Sequence, residues 1–401
     1  MIEKQLHVLI IPSWFPTDKN SSGNFIKEQA EALGKKLKVS VFLFEFISFR
    51  NYIKNLFDKT LNNKYTAGTC FTSAKVKTVF IFPTFLIKKP LDFQKKIILM
   101  RVWLKLKVYC FFNGKPDLIH HHGITNNVFI TNFIHKKFNI PYAYTEHSPL
   151  ESKIINFLNL YDSPEEVDIF LKLSGARIAV SEYYAKKYQQ IFCINFEYVP
   201  NMVDAFFTQK ALPAFPKKTN PFQFINIANF SDIKNHRLLI NAFYHSFKDI
   251  SNVNLIIIGE GKRRKKIEAL IEELNIKGKV ILKGHLSRTE VLNNIDMANI
   301  SVISSTKETF CVSIAENLVR GNPALSTKCG GPEELINKEN GILCENNNLN
   351  ELIKGFTKIY QDYLLYDFTL ISKQAKLKYA EDVIVNKLID IYEDVIIKKK
   401  V

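Results

Sequence analysis

Along most of the chain, apolar runs of strand length alternate with longer stretches whose apolar positions recur every three or four residues. The first kind reads as a parallel strand buried on both faces, the second as an amphipathic helix. Strands are expected at residues 6–11, 39–46, 76–82, 117–120, 141–145, 176–180 and 196–199, with helices at 24–36, 91–112 and 126–138 between them. Ser163-Pro164-Glu165-Glu166 predicts a helix start, with Ser163 as N-cap and proline in the first position. Residues 47–75 show no clear period and read as an excursion. Pro200-Asn201-Met202-Val203-Asp204 is followed by Pro213, Pro216 and Pro221, and the domain boundary is expected there. The alternation then restarts, with strands at 224–228, 253–258, 280–282, 300–304 and 323–326 and helices at 235–247 and 262–274. This predicts an α/β chain of two doubly wound parallel-sheet domains facing a cleft. The domains are placed at 1–200 and 201–375, and a last helical segment, 376–401, is expected to cross back to the first.

Composition adds four points. A chain of 401 residues is long enough for two cores. It holds no apolar run of the roughly 20 residues a membrane helix needs, and its start shows no signal-peptide pattern, so a cytoplasmic protein is expected. The six cysteines have no short paired spacing and read as reduced thiols. The net charge of +16 is concentrated: residues 51–115 hold 13 Lys/Arg against two Asp/Glu, interleaved with aromatics such as Phe93, Trp103, Phe111 and Phe112. That mixture suits an anionic membrane surface, and a peripheral position on the inner face of the cytoplasmic membrane is expected. A solvated basic face over an aromatic core is the alternative. Nucleic acid is not expected as a partner.

The chemistry concentrates after the strand at 300–304. A polar loop there carries Glu308, and Glu316 follows on the next helix. Ligands of open α/β sheets sit beyond the carboxyl ends of strands, against helix N-termini. Carboxylates repel phosphate but accept hydrogen bonds from vicinal hydroxyls. Gly330-Gly331 opens another helix start, where bare N–H groups can approach phosphate oxygens. Diol acceptors beside a phosphate cradle describe a sugar-nucleotide site. Near the N-terminus, strand, Gly23 and helix repeat the phosphate-binding layout. No Asp-x-Asp occurs in the sequence, so neither a metal nor another cofactor is expected. In the run His120-His121-His122, neighbouring side chains on a strand point to opposite faces, so His120 and His122 share one.

Taken together these segments resemble the retaining GT-B glycosyltransferases of glycosyltransferase family 4 (group 1), over nearly the whole chain. Pro12-Ser13-Trp14-Phe15-Pro16 with Gly23-Asn24-Phe25 is similar to the family's first strand and glycine loop. His120-His121-His122, Thr145-Glu146-His147-Ser148 and Val199-Pro200-Asn201-Met202-Val203-Asp204 resemble its His-x-His, Thr-Glu-His and interdomain segments, with Met202 where glycine is usual. Lys234-Asn235, Gly259-Glu260-Gly261, the pair Glu308 and Glu316, Gly321-Asn322-Pro323 and Gly330-Gly331-Pro332-Glu333 complete the set. The family usually places an arginine five residues before the donor lysine; here Asn229 stands there, which shifts phosphate neutralisation to Lys234, with Arg237 as a neighbouring cation.

The resemblance implies two Rossmann-like domains, the first binding the acceptor and the second a UDP- or GDP-linked sugar. It implies hexosyl transfer with retention to a cell-envelope glycan or lipid-linked acceptor. Catalytic roles fall to His147, Glu308 and Lys234. Donor contacts fall to Gly23, Asn229, Lys234, Gly259, Glu308, Phe310, Glu316, Gly330 and Gly331, and acceptor contacts to His120 and His122. Gly259 and Gly261 suit a tight turn equally well. A nucleotide-sugar 2-epimerase shares the fold but has no need of an acceptor surface, and an inactive scaffold has no need of the polar set.

Overall fold

The computed structural model describes residues 5–16, 23–48, 75–84, 92–124, 127–149, 163–217 and 219–400. The polar loop at 17–22 and nearly all of the excursion expected at 47–75 lie outside them. The chain divides into two compact units, Met1–Val180 with Tyr184–Val199 and Val385–Val401, and Ser181–Tyr183 with Pro200–Ile384.

The first unit contains β1 (His7–Pro12), α1 (Asn24–Gly34), β2 (Lys38–Ser48), β3 (Lys75–Thr84), α2 (Asp92–Asn113), β4 (Leu118–His122), α3 (Val128–Phe138), β5 (Tyr142–Glu146), α4 (Pro164–Leu173), β6 (Ala176–Ala179), α5 (Glu182–Phe192) from Tyr184 onward, and β7 (Glu197–Tyr198). The seven strands form one sheet in the order β3-β2-β1-β4-β5-β6-β7, and every pairing in it is parallel. Val8, Leu9, Ile10 and Ile11 are all fully buried, as a central strand covered on both faces requires. One core layer joins Leu9, Ile119 and Tyr142 of the strands to Val102 and Leu106 of α2 and Ile130 and Ile134 of α3. The helix start read at Ser163 is present as a reciprocal cap. The Ser163 hydroxyl accepts from the Glu166 N–H, and the Glu166 carboxylate accepts from the Ser163 N–H.

The second unit contains α6 (Ala205–Thr208), β8 (Phe222–Ile227), α7 (His236–Phe247), β9 (Val253–Ile258), α8 (Arg264–Glu273), β10 (Val280–Gly284), α9 (Arg288–Met297), β11 (Ile300–Ile303), α10 (Val312–Val319), β12 (Ala324–Thr327), α11 (Pro332–Leu335), β13 (Gly341–Cys344), α12 (Leu349–Gln361) and α13 (Phe368–Tyr379). Its strands run β10-β9-β8-β11-β12-β13, again all parallel. β13 is the strand that the hydrophobic pattern misses. It has four residues, Gly-Ile-Leu-Cys, and pairs by register with β12, Ala324 opposite Gly341. A Cβ on Gly341 would collide with the Ala324 carbonyl, so the close strand approach requires glycine. The last helix, α14 (Glu381–Lys400), begins in the second unit and continues from Val385 in the first. The expected division at 376 therefore falls too early. α13, which includes residues 376–379, packs against α10, and the Ser372 hydroxyl donates to the Val319 carbonyl at 2.6 Å.

In each sheet the direction of chain progression reverses once, between β1 and β4 in the first and between β8 and β11 in the second. These are the switch points where loops beyond the strands diverge and leave room for a ligand.

Candidate functional site

In the first unit the loop after β1 is tied to the end of β4. The Ser13 N–H donates to the His122 carbonyl at 2.9 Å, and the Ser13 hydroxyl donates to the Gly123 carbonyl at 2.5 Å. Trp14 rests on two glycines. A Cβ on Gly123 (φ 78°) or on Gly23 (φ 89°) would strike its ring, so both positions combine a left-handed backbone with a close approach. Gly23 is the N-cap of α1 and offers no side-chain cap, as the phosphate-loop reading requires, but the rest of its loop is outside the described residues.

The histidines alternate as expected. His120 and His122 lie on one side of β4 with ring centroids 3.9 Å apart, and His121 points to the other, against Phe170. Their surroundings correct the acceptor assignment. His120 and His122 are fully buried. The two nitrogens of His120 meet the Thr145 hydroxyl at 2.7 Å and the Tyr392 hydroxyl at 2.6 Å. His122 shares a 2.9 Å hydrogen bond with His147. Burial, reinforced by the neighbouring histidines, lowers His120 to about 3 and His122 well below the ordinary imidazole value, so both stay neutral at physiological pH. Neither ring faces solvent, and of the two it is His122 that is hydrogen-bonded to His147. His147 itself sits at the mouth of β5, against Phe25 with centroids 4.6 Å apart.

Glu146 is the residue of this cluster whose part the sequence does not reveal. Its buried carboxylate accepts from the backbone N–H groups of Ile124, His147 and Ser148, at 3.0, 2.9 and 2.7 Å, and from the Tyr144 and Ser148 hydroxyls. This network holds the backbone that carries His147. The only sequence signal is a carboxylate at the end of an otherwise apolar strand, where an unsatisfied charge would be costly.

In the second unit Lys234 and Glu308 meet directly, 2.5 Å from ammonium to carboxylate. Lys234 comes from the turn after β8 and Glu308 from the loop after β11, on either side of the switch point. Burial works to lower the Lys234 pKa, but the adjacent Glu308 carboxylate outweighs it and the net displacement is upward. Ser305 donates a second hydrogen bond to Glu308 at 2.6 Å. The Glu308 backbone is clamped to the Gly330 strand end: its N–H donates to the Cys329 carbonyl, and its carbonyl accepts from the Gly331 N–H at 2.9 Å.

That clamp corrects the phosphate-cradle reading of Gly330-Gly331. The Gly331 N–H is spent on Glu308, and the Gly330 N–H donates to the Glu333 carboxylate at 2.9 Å. Gly331 is required instead because a Cβ would collide with the Phe310 backbone. Phe310 is buried against Tyr379, so its ring offers no face to a donor. Gly259 and Gly261 follow the turn reading. Side chains there would run into the Ala228 carbonyl and the Phe230 backbone. Asn229 is exposed and accepts from the Ser231 hydroxyl at 2.8 Å, and Arg237 is exposed on α7. Cys311, the left-handed N-cap of α10, is pushed up to about 12 by burial and the nearby Glu308 charge, so it is not an activated thiol.

Glu316 lies on α10, just over one turn beyond Val312 and on the same loop–helix segment as Glu308. Burial raises its carboxyl to about 7; Arg288 draws it down and Asp204 opposes that. Gly321-Asn322-Pro323 serves the core: Asn322 donates to the Ile295 carbonyl at 2.8 Å and accepts from the buried Lys217 ammonium.

Two parallel, doubly wound units with these switch points are the GT-B architecture of glycosyltransferases. Residues 208–380, which lie wholly within the second unit, match the family described as glycosyl transferases group 1. An uncharacterized glycosyltransferase of Methanocaldococcus jannaschii, MJ1059, is 27% identical over 287 residues, 66% of each chain. The chain spans less than two thirds of the length of the curated relatives it matches, 63% for a second protein of that organism. A solved glycosyltransferase from Rickettsia africae superposes with a TM-score of 0.69 at 15% identity, covering 98% of this chain and 99% of that one. Anabaena HepE in complex with UDP and glucose gives 0.68 at 16%, covering 96% and 98%. The solved structures show the fold.

Proposed function

We propose that this protein moves a hexosyl group from a UDP- or GDP-linked sugar to a cell-envelope glycan or lipid-linked acceptor, with retention at the anomeric carbon and without a metal, as a peripheral protein on the cytoplasmic side of the membrane. The observation that carries the reading is the Lys234–Glu308 pair at the second switch point, with Glu316 on the same segment, inside the stretch that matches group 1 glycosyl transferases. HepE, a structural neighbour, was solved with UDP and glucose, which supports a nucleotide-sugar donor.

Departure of the nucleoside diphosphate puts negative charge on phosphate and positive charge on the sugar ring. In this reading Lys234 turns from Glu308 toward the leaving phosphate, and Glu308, relieved of its partner, accepts from sugar hydroxyls. Glu316 accepts from the ribose diol. His147, oriented by His122 and by the Glu146-bound backbone, positions the sugar and the attacking hydroxyl. Transfer is expected to persist in excess EDTA and to disappear in Lys234→Met. A thermal-shift screen across sugar nucleotides identifies the donor by the stabilisation it confers. Activity lost with EDTA and restored by magnesium or manganese would overturn metal independence. Isomerised donor formed without any acceptor would favour an epimerase.

A further inference from the structure

The helix α2 is apolar on two opposite faces, and among the described residues only one of them is packed against the core. Ile98, Val102, Leu106 and Tyr109 point inward and are at most 6% exposed. Ile97, Met100, Leu104, Val108, Phe111 and Phe112 recur at steps of three or four and stand in solvent, from 38% exposed at Ile97 to 83% at Phe111. At 100° per residue this second stripe lies nearly opposite the first. Cations border it on both sides. Lys96 and Lys107 flank one edge, and Arg101 and Lys105 the other; after Asp92 the helix holds no acidic residue. The Lys107 ammonium sits 4.4 Å from the Trp103 ring centroid, at the apolar–polar border. Burial and the Arg101 charge both lower the Lys105 pKa.

We propose that this outward face of α2 lies in the headgroup layer of an anionic bilayer, with the apolar stripe inserted and the flanking cations on lipid phosphates. The proposal rests on the reading above of a peripheral transferase and names the surface that holds it at the membrane. Three features select a bilayer over a protein partner. The stripe is the convex outer side of a single helix of about 33 Å, which fits a plane better than a pocket. Its cations lie on both edges, as interfacial helices require. A second copy of the chain would bring these like charges together. No described helix is long and apolar enough to cross a membrane, so α2 lies along the surface. The basic segment recognised in the sequence thereby resolves into one face. Lys95 leaves the set: it points inward, 3.0 Å from Glu166 and over the Phe129 ring.

The test uses the full chain and vesicles of phosphatidylcholine alone or with about 30 mol% phosphatidylglycerol, measured by flotation over a range of salt. Wild type is expected to prefer the anionic vesicles by at least about tenfold. M100S/L104S/F111S/F112S, which keeps every cation, is expected to lose at least about tenfold in binding. K96Q/R101Q/K105Q/K107Q is expected to bind both vesicle types equally and weakly. Seven of the eight positions are exposed and Arg101 is half-buried, and unchanged thermal melting checks the fold of each variant. Wild type that stays unbound overturns the proposal, and so does a serine variant that binds as tightly as wild type. Self-association abolished by the serine changes would assign the face to a second copy and overturn it as well. Vesicle binding is read without donor or acceptor, and sugar transfer with a dissolved acceptor, so either result can fail without the other.

Discussion

At the scale of single residues, the proposed donor site is defined as much by what its groups already hold as by their identity. Lys234 and Glu308 read from the sequence as two separate functions, one for phosphate and one for sugar hydroxyls. In the structure they neutralise each other across the switch point. Donor binding on our reading is then an exchange of partners, in which a diphosphate replaces the carboxylate at the ammonium. Glu316 gives this scale its testable consequence. Its carboxyl is raised to about 7, chiefly by burial, with Arg288 and Asp204 as the charged groups facing it. Below that pH it is protonated and can accept less well; above it the carboxylate can take both ribose hydroxyls. Donor affinity should therefore rise with pH, by up to about tenfold from pH 6 to pH 8, since one unit below its pKa an acid is only about a tenth ionised. Isothermal calorimetry of wild type beside Glu316→Gln separates this from titration of the nucleotide. A slope that persists unchanged in the glutamine variant would show that another group is responsible.

At the scale of elements, the burial of His120 and His122 ties strand β4 to helix α14. Tyr392 is fully buried on α14, and its hydroxyl meets His120 at 2.6 Å. Tyr392→Phe removes the hydroxyl without opening a large cavity and leaves one imidazole nitrogen without its partner. That should cost about 1–3 kcal/mol, read as a lower urea midpoint with an unchanged slope. Stability equal to wild type would mean that this link contributes nothing measurable. The same element scale explains α2. Its period is helical on both sides, so a simple inside–outside reading leaves it ambiguous, and only the tertiary packing says which apolar stripe is covered.

At the scale of the whole molecule, the proposed roles divide between the units. Lys234, Glu308 and Glu316 belong to the second unit and His147 to the first. Glu316→Ala removes charge-assisted hydrogen bonds of roughly 1.5–3 kcal/mol, so donor affinity should fall about 10- to 150-fold. His147→Ala should leave donor affinity within a few-fold while turnover drops sharply, the signature of an interaction made in the transition state. Calorimetric affinity beside transfer kinetics for both variants checks the division. Abolished donor binding in His147→Ala with intact binding in Glu316→Ala would reverse it.

Period and spacing alone determined twelve of the thirteen strands among the described residues and the α/β alternation, because a strand buried on both faces must be apolar throughout whatever surrounds it. They also determined which of the three histidines share a side, since the twofold repeat of a strand is local geometry. The four-residue β13 escaped, being too short to carry a period; it exists because β12 offers it a backbone edge and Gly341 allows the approach. What the polar residues do was decided by the tertiary structure. Gly330-Gly331 resembles an open phosphate cradle in sequence, yet its N–H groups are claimed by Glu333, three residues on, and by Glu308, from another strand end. His120 looks available until Thr145 and Tyr392 are packed against its two nitrogens, and one nitrogen of His122 is taken by His147. Hydrogen-bond capacity is written in the residue type, but whether it remains for a ligand depends on partners far along the chain, and those meet only when the sheet is assembled.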